Sequence, residues 1–185
     1  GVPGYNRNVL KKGIVHIGVG NFHRAHQAWY TDRILHQGAD NWGICGIGLL
    51  DKDYRMYDIL KKQDYLYTLM VREEKGSLNA RIIGSIIDYI FAPEDPERAI
   101  KQMVDPEVRI ISLTITEGGY NIDDSTDKFN FSDPVLQYDL IDSHIPSTVF
   151  GYLARALNRR QVAGYPGLTI LSCDNILKNG DTCKN

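Results

Sequence analysis

Short, continuous apolar runs alternate with amphipathic helical patterns along most of this 185-residue chain. Unbroken apolar strands are typical of parallel sheets, because both faces of such a sheet are covered. Their alternation with helices favours a doubly wound α/β fold, a mostly parallel sheet with helices on both faces. Predicted strands occupy residues 14–18, 44–50, 108–115 and 168–172, and predicted helices occupy residues 22–37, 53–62, 93–104 and 147–162. The buried face of the last helix is predicted to carry Phe150, Leu153, Ala154 and Leu157.

The middle of the chain departs from this alternation. Residues 65–71 and 80–91 are both strand-like, and a polar turn at residues 75–77 separates them. That spacing predicts a β-hairpin inserted into the α/β pattern. Farther along, residues 123–133 are rich in Asp and Ser and predict a surface loop.

Composition restricts the class of protein. Lys and Arg number 21 against 23 Asp and Glu, which gives a formal net charge of −2, and the length suits one domain. A near-neutral balance without runs of like charge argues against binding to nucleic acid or to an anionic membrane. No apolar stretch approaches the roughly 18–20 residues of a membrane span. Residues 1–8 also lack the apolar core of a secretory signal.

Cysteine usage indicates the compartment. Cys45, Cys173 and Cys183 are widely spaced and form no Cys-x-x-Cys pair. An odd number at such spacing predicts neither a disulfide framework nor a structural zinc site. A reducing cytoplasm is therefore the expected location.

A glycine turn lies between the first predicted strand and the first predicted helix. Its residues are Gly18, Val19, Gly20, Asn21 and Phe22. In a dinucleotide-binding unit the first glycine permits the tight turn, and the second lets the backbone approach a pyrophosphate. The third glycine of that fingerprint is absent, because His23 occupies its place. Glycine-rich turns also occur in folds that bind no nucleotide, so the turn alone leaves both interpretations open.

Acidic residues follow the second predicted strand, where a dinucleotide-binding unit usually holds the ribose hydroxyls with Asp or Glu. Asp51 and Asp53 flank Lys52 there, later than the usual spacing of about 20 residues. The long predicted helix and the loop after it account for the delay. Capping of the next helix is the alternative for either carboxylate, and Asp53 can serve in both ways.

Four of the predicted strands are followed by polar or glycine-rich residues. The carboxyl ends of parallel strands meet at one edge of a sheet, and ligands of such folds bind outside that edge. Besides the glycine turn and the acidic segment, Thr116 and Glu117 follow the third strand, and residues 172–175 follow the last. Together these ends favour a Rossmann-type nucleotide-binding domain over an α/β domain that binds no nucleotide.

Three motifs resemble those of the long-chain mannitol dehydrogenases, which are metal-independent, NAD-dependent polyol oxidoreductases. The motifs span residues 18–26, residues 112–120, and residues 172–175 with Asn179 and Gly180. They occur in the family's order and spacing, and the resemblance covers nearly the whole chain. Fructuronate reductases (mannonate oxidoreductases) are close relatives, but residues 44–49 and 63–69 favour the mannitol branch.

The resemblance implies that Gly18, Gly20 and Phe22 line the pyrophosphate of NAD. It implies that Asp53 holds the adenosine ribose, and that Asn175 belongs to the catalytic centre. There the amide of Asn175 would stabilise the charge that develops on the substrate oxygen during hydride transfer between mannitol and fructose. A turn residue at a strand end is the other interpretation of Asn175.

Lys52 departs from the strictly NAD-selective pattern, since some family members carry an acid there. A second carboxylate would repel a 2′-phosphate, whereas an ammonium group can pair with one. We therefore expect NAD to be preferred and NADP to be tolerated. A Lys52 side chain that faces only solvent is the alternative.

Two neighbouring histidines raise the question of a metal. His23 and His26 lie three residues apart and could share a helix face, but no further ligand follows at a suitable spacing. Packing is therefore expected of them, and a metal site is not. His16, inside the first strand, is expected to be a core residue.

In the family that the motifs resemble, a lysine of a separate, mostly helical C-terminal domain accepts the hydroxyl proton, and that domain builds most of the polyol pocket. No lysine of this sequence matches that base. Residues 1–185 are thus expected to be the NAD(P)-binding domain of an enzyme acting on a polyol or ketose, with the substrate domain absent and little turnover. A fructuronate reductase and a non-catalytic NAD(H)-binding module are the alternatives.

Overall fold

The computed structural model describes residues 1–72, 76–123, 126, 128–141 and 144–184. Its strands are β1 (Ile14–Ile17), β2 (Ile44–Gly48), β3 (Tyr67–Arg72), β4 (Leu78–Ile83), β5 (Ile86–Phe91), β6 (Ile110–Leu113), β7 (Ile122–Asp123), β8 (Lys128–Phe129) and β9 (Thr169–Ser172). Its α-helices are α1 (Asn21–Ala25), α2 (Gln27–Leu35), α3 (Tyr54–Lys62), α4 (Pro96–Val104), α5 (Pro134–Asp139), α6 (Val149–Val162) and α7 (Asn179–Lys184). Short 3₁₀ turns cover Arg7–Val9, Asp40–Trp42, Asp51–Asp53 and Glu117–Tyr120.

A five-stranded sheet in the order β5-β2-β1-β6-β9 forms the centre of the molecule. All of its pairings are parallel, and Ile17 at the end of β1 is in register with Ile47 of β2 and Leu113 of β6. Every residue of β1 and β2 is buried, which is the environment that their unbroken apolar sequences predict. The order, with its crossovers, confirms the Rossmann-type doubly wound fold.

Two apolar clusters lie on opposite faces of this sheet. Successive residues of β1 alternate between them, since Ile14 belongs to one and Val15 to the other. Helices α4 and α6 pack together over the Val15 cluster, while α2 and α3 contribute Ala28 and Leu60 to the Ile14 cluster. Helices therefore cover both faces, as the sequence predicts.

The predicted helix over residues 22–37 is wrong as a single element. It consists of α1 and α2, separated at His26, whose φ of −120° and ψ of −87° are not helical. The His23 ring lies between α1 and β1, where the nucleotide-binding fingerprint has a glycine for close packing of helix and strand. Neither Gly nor Pro marks the break, so the sequence gives no local signal for it.

The inserted hairpin is confirmed, but the predicted strand over residues 80–91 is two strands. β3 and β4 form a separate antiparallel pair, whereas β5 joins the main sheet beside β2. Residues 84–85 divide β4 from β5 because buried groups fix their backbone: the Gly84 N–H donates to Asp32 Oδ1 at 3.0 Å, and the Ser85 hydroxyl donates to the Ala28 carbonyl at 2.6 Å. Of the predicted turn at 75–77, residue 75 lies outside the described residues.

The predicted loop over residues 123–133 contains a small antiparallel pairing of β7 with β8, and residues 124, 125 and 127 lie outside the described part. The buried face of α6 is also rotated from its prediction. Leu153 is buried and Phe150 packs at the edge of the core, but Ala154 and Leu157 are exposed. Arg160 is buried instead, because backbone carbonyls at the end of α4 and at Pro166 accept its N–H groups.

Candidate cofactor site

The carboxyl ends of β1, β2 and β6 open into a cleft of about 430 Å³, called the main cleft here. It brings together four of the predicted site residues, namely Gly18, Lys52, Asp53 and Thr116. The opposite wall comes from α5, α6 and the residues before them, including Asp133, Leu136 and Thr148. This is the edge at which doubly wound sheets hold ligands.

The glycine turn after β1 has a backbone that only glycine accommodates. Gly18 has a φ of +91°, and a Cβ at this position would overlap the carbonyl oxygen of Thr114. The Gly18 N–H donates to Ile47 O at 3.0 Å, and the Gly20 N–H donates to Gly18 O at 2.7 Å. The turn thus brings bare backbone to the main cleft, as the approach of a pyrophosphate requires.

The other turn residues point in different directions. The Val19 side chain is buried in the core, and Arg24 donates to its carbonyl at 3.0 Å. Arg24 also donates to the side-chain oxygen of Asn21. Phe22 is 56% exposed and lines a second cleft. Because α1 has only five residues, its helix dipole contributes little at this end of the turn.

At the end of β2, Asp53 has a local hydrogen bond. Its Oδ2 accepts the N–H of Leu50 at 3.0 Å and closes the 3₁₀ turn Asp51–Asp53. Asp53 is the N-cap residue of α3, but its side chain makes no hydrogen bond to that helix, so the predicted cap of the next helix is wrong and the carboxylate closes the preceding turn instead. Asp53 also lines the main cleft, and its role toward a ribose stays a prediction. Lys52 is exposed at the cleft, and Asp51 is exposed outside its lining.

A buried pair of histidines lies beneath the turn. His16 is fully buried, with Nδ1 2.8 Å from Ser112 Oγ and Nε2 3.0 Å from Thr114 Oγ1. Its ring stacks on that of His23, with 3.4 Å between centroids. Burial lowers the pKa of His16 to about 3 and that of His23 well below its usual value, so both rings are neutral at pH 7.

The second cleft, of about 190 Å³, lies beside the Phe22 end of the turn. It is lined by Phe22, His23, His26, Gln27, Thr114 and Cys173. Thr114 belongs to both clefts. Among the described residues, no group is in good hydrogen-bonding geometry with either ring nitrogen of His23, although the Gln27 side chain lies near enough to raise its pKa against the larger lowering by burial. Within the described ranges, no three His, Cys, Asp or Glu side chains are grouped to hold a metal.

The loop after β6 is held by a residue to which the sequence assigned no role. Asp174, just after β9, accepts the backbone N–H groups of Ile115 and Thr116, both at 2.9 Å, and the Tyr120 hydroxyl at 2.8 Å. The position of Asp174 beside Asn175 was the available signal. A carboxylate that accepts backbone N–H groups, however, has no characteristic sequence spacing from its partners, so its role could not be predicted. Asn175 itself is exposed, and Glu117 is exposed at the start of a 3₁₀ turn, outside both cleft linings.

In the described part of the chain, no helix is long and apolar enough to cross a membrane.

Comparison with known proteins identifies the family. A family model, the mannitol dehydrogenase Rossmann domain, matches residues 12–185. The mannitol 2-dehydrogenase of Aspergillus clavatus is 48% identical over 188 residues, covering 100% of this chain and 37% of the relative. The polyol:NADP oxidoreductase of Gluconobacter oxydans is 45% identical over 184 residues, covering 98% of this chain and 38% of the relative.

Solved structures give the same result. The mannitol 2-dehydrogenase of Pseudomonas fluorescens, in a ternary complex with NAD and D-mannitol, superposes with a TM-score of 0.94 at 45% identity, covering 99% of this chain and 37% of that one. A substrate-free D-sorbitol dehydrogenase gives a TM-score of 0.94 at 44% identity, covering 99% and 38%. The chain thus spans little more than a third of the length of these relatives. It belongs to the mannitol dehydrogenase family, and its fold is the Rossmann domain of that family.

Proposed function

We propose that this chain binds NAD and forms the cofactor half of a polyol oxidoreductase that transfers hydride between mannitol and fructose. The observation that carries the proposal is the pair of clefts at the carboxyl edge of the parallel sheet, which share Thr114 and are lined by Gly18 in one case and by Phe22 of the same turn in the other. A dinucleotide has two nucleosides joined by a pyrophosphate, and this arrangement offers a recess for each with bare backbone between them. The Pseudomonas fluorescens relative, whose complex contains NAD and D-mannitol, supports the same assignment.

The adenosine half of the cofactor would occupy the main cleft. We assign the ribose hydroxyls to Asp53, with Asp51 beside it. The Asp53 carboxylate has one oxygen occupied by the Leu50 N–H, which leaves acceptor capacity on the other. The pyrophosphate would lie against the backbone of residues 18–22, and Thr116 and Glu117 would border it from the β6 side.

The nicotinamide half would lie toward the second cleft and the end of β9. NAD, when bound, supplies the hydride acceptor for oxidation of the alcohol. The part assigned to this chain is binding and orientation, with Asn175 donating its amide N–H to the substrate oxygen as charge develops there. Exposure at the sheet edge leaves the amide of Asn175 accessible to a substrate.

The proton acceptor is assigned to a part of the enzyme outside residues 1–185. A general base must reach the hydroxyl proton within hydrogen-bonding distance. We propose that residues 1–185 form one NAD(P)-binding domain, and that a lysine of a helical C-terminal domain removes the proton and completes the polyol pocket. The 185-residue chain would then bind cofactor with little or no turnover, in a reducing cytoplasm that suits its three free cysteines.

Tolerance of NADP is assigned to Lys52. Lys52 lines the main cleft together with Asp53, so its ammonium group can reach a 2′-phosphate on a ribose that Asp53 holds. A relative that is a polyol:NADP oxidoreductase supports the suggestion that the family accommodates that phosphate. Because Lys52 is exposed, the contribution is small, on the order of two- to fivefold in affinity.

Calorimetric titration of the 185-residue chain with NAD and with NADP tests both assignments. We expect NAD to bind more tightly, NADP to bind measurably, and Lys52→Gln to weaken NADP more than NAD. Lys11→Gln is the matched control, because Lys11 pairs with Glu107 at the opposite end of the strands. Absence of NAD binding would refute the proposed function, and NADP binding undetectable beside clear NAD binding would refute the role of Lys52.

A further inference from the structure

A carboxylate joins two strand ends at the proposed cofactor site. Asp174 follows β9, yet its side chain reaches the loop after β6 and accepts two consecutive backbone N–H groups, those of Ile115 and Thr116. Tyr120 donates its hydroxyl to the same carboxylate and lies 2.6 Å from Ser172 Oγ. We call Asp174 with these three donors the Asp174 bridge.

The loop that the bridge holds has a strained backbone. Thr116 has a φ of +64° and a ψ of 168°, a region that is essentially restricted to glycine and costs a residue with a branched side chain. Such a conformation persists only where surrounding contacts impose it. The two N–H groups bound by Asp174 are those of Thr116 and of the residue before it, so the hydrogen bonds act directly on the strained dihedral angles.

The strained loop forms one wall of the main cleft. Ile115, Thr116, Gly118 and Gly119 all line it. If Thr116 relaxed to a negative φ, this wall would change shape and the cleft would change with it. The shape of the β6 side of the site thus depends on a residue that follows a different strand.

We propose that Asp174 is a positioning residue: it holds the Thr116 loop in the shape that receives the cofactor, and it fixes the backbone immediately before Asn175. The proposal rests on the proposed function, because the ligand of the main cleft is taken to be NAD. Asp174 itself lines neither cleft and is assigned no contact with the cofactor.

A carboxylate suits this task better than an amide. An ionised Asp only accepts hydrogen bonds, and both of its oxygens face donors here, Oδ1 toward Thr116 and Oδ2 toward Ile115 and Tyr120. In Asp174→Asn one oxygen becomes an NH₂ group that meets an N–H donor and cannot accept from it. The side-chain volume stays almost unchanged, so the substitution removes hydrogen bonds without creating a cavity.

Amide hydrogen exchange in the ligand-free chain tests the bridge without any cofactor. We expect the Ile115 and Thr116 amides to be protected in the parent, and to exchange at least about tenfold faster in Asp174→Asn. Asp181→Asn, an exposed carboxylate in α7, is the matched control and should leave both rates unchanged. Exchange of these amides in the parent at the rate of an open loop would overturn the proposal.

The affinity for NAD tests the link to the cofactor. We expect Asp174→Asn to raise the Kd for NAD by about tenfold, equivalent to about 1.4 kcal/mol. In a Thr116→Gly background the same substitution should cost clearly less, because glycine adopts a positive φ without help. A general loss of structure would reduce affinity equally in both backgrounds, so a smaller loss beside glycine is specific to positioning.

Each result of these experiments either supports or overturns the proposal. Faster exchange with a background-dependent loss of NAD affinity supports the proposal, whereas an equal loss in both backgrounds, or a Kd within twofold of the parent, overturns it. If the parent itself fails to bind NAD, the proposed function falls, while the exchange rates still report whether the bridge shapes the loop. Should Asp174→Asn fail to fold, Asp174→Glu keeps the charge but displaces it by one methylene, and unchanged exchange and affinity in that variant would also overturn the proposal.

Discussion

The turn after β1 and the loop after β6 both place positive-φ backbone beside the main cleft, but they achieve it differently. At Gly18 the conformation is available because no side chain is present, and a Cβ would collide with Thr114. At Thr116 the side chain is present, and the Asp174 carboxylate holds the backbone from outside. One loop keeps its shape through its own residue, and the other keeps it through a residue 58 positions away.

The surroundings of the two loops differ in charge as well. Beneath the first lie neutral, buried groups, with the His16 and His23 rings stacked and Thr114 donating to the Gly18 carbonyl at 2.6 Å. Beside the Thr116 loop lie the Asp174 carboxylate, which accepts backbone N–H groups, and the Tyr120 phenol. Burial, with a further contribution from Asp174, raises the pKa of Tyr120, so its hydroxyl remains a donor at neutral pH. The two loops should therefore respond differently to substitution and to acid.

The largest effect is expected at Gly18. Gly18→Ala adds a Cβ at a φ of +91° and against backbone that cannot move aside, so we expect a loss of more than about 4 kcal/mol in the free energy of unfolding. Gly164→Ala is the control, because Gly164 has a φ of +68° in open space and should cost only about 1 kcal/mol. Urea denaturation measures both. Equal losses would mean that the contact with Thr114 is unimportant.

A smaller change in the free energy of unfolding is expected when the pH is lowered, because His23 of the stacked histidine pair is neutral in the folded chain. His23 has a folded pKa well below the unfolded value of about 6.5, so the unfolded chain binds a proton that the folded chain does not. Its contribution to stability is present above about pH 6.5 and is lost as pH falls toward the folded pKa, by roughly 2 kcal/mol between pH 7 and pH 5. His23→Leu should reduce the pH dependence by that amount.

Urea denaturation of the parent and of His23→Leu at pH 7 and pH 5 makes the measurement. At pH 7 the leucine should cost little, because no described residue is in good hydrogen-bonding geometry with the buried His23 nitrogens and leucine has no polar atom to bury. His26→Leu, at an exposed position, controls for the added leucine. The same pH dependence in parent and His23→Leu would contradict a neutral, buried His23.

The smallest effect is expected at Thr116. Thr116→Gly relieves the strain at a φ of +64°, and we expect a gain of up to about 1 kcal/mol in the free energy of unfolding. Thr68→Gly, at an exposed position in β3, should instead cost about 1 kcal/mol, the usual penalty for glycine in a strand. A gain in the free energy of unfolding for Thr116→Gly beside a loss for Thr68→Gly would show that Thr116 is strained where Gly18 is not. Equal losses would show that Thr116 carries no strain.

The predictable part of the fold was the part with a strong local pattern. The runs Ile14–Ile17 and Ile44–Gly48 are fully buried strands. The helix predicted over residues 93–104 is present as α4, but it begins three residues later, at Pro96, which has no N–H to leave unpaired. The break at His26 could not be predicted, because it accompanies a ring that packs against another element. The division between β4 and β5 likewise depends on Asp32, a buried carboxylate that is distant in sequence.

The residues of the candidate site also fall into those with a local sequence signal and those without one. The position of Gly18 at the main cleft could be predicted because a positive φ and a close approach both demand glycine. The positions of Lys52 and Asp53 could be predicted because they follow a buried strand. The roles of all three toward a cofactor stay predictions. The role of Asp174 could not be predicted, since its partners are backbone N–H groups that any residue could supply. The roles of Asn175 and Glu117 stay predictions, as neither lines a cleft.

The two edge strands of the central sheet, β5 and β9, differ in how well they are covered, and this difference affects the behaviour of the chain in solution. Strand β5 is almost wholly buried and α3 packs on it, whereas β9 pairs with β6 on one side, and Leu171 is 41% exposed. The β9 sequence, Thr169–Ser172, contains neither a charge nor a proline, the usual protections against pairing between edge strands of different molecules. We therefore expect concentrated solutions of the 185-residue chain to self-associate along β9, and Leu171→Lys to reduce that association in analytical ultracentrifugation.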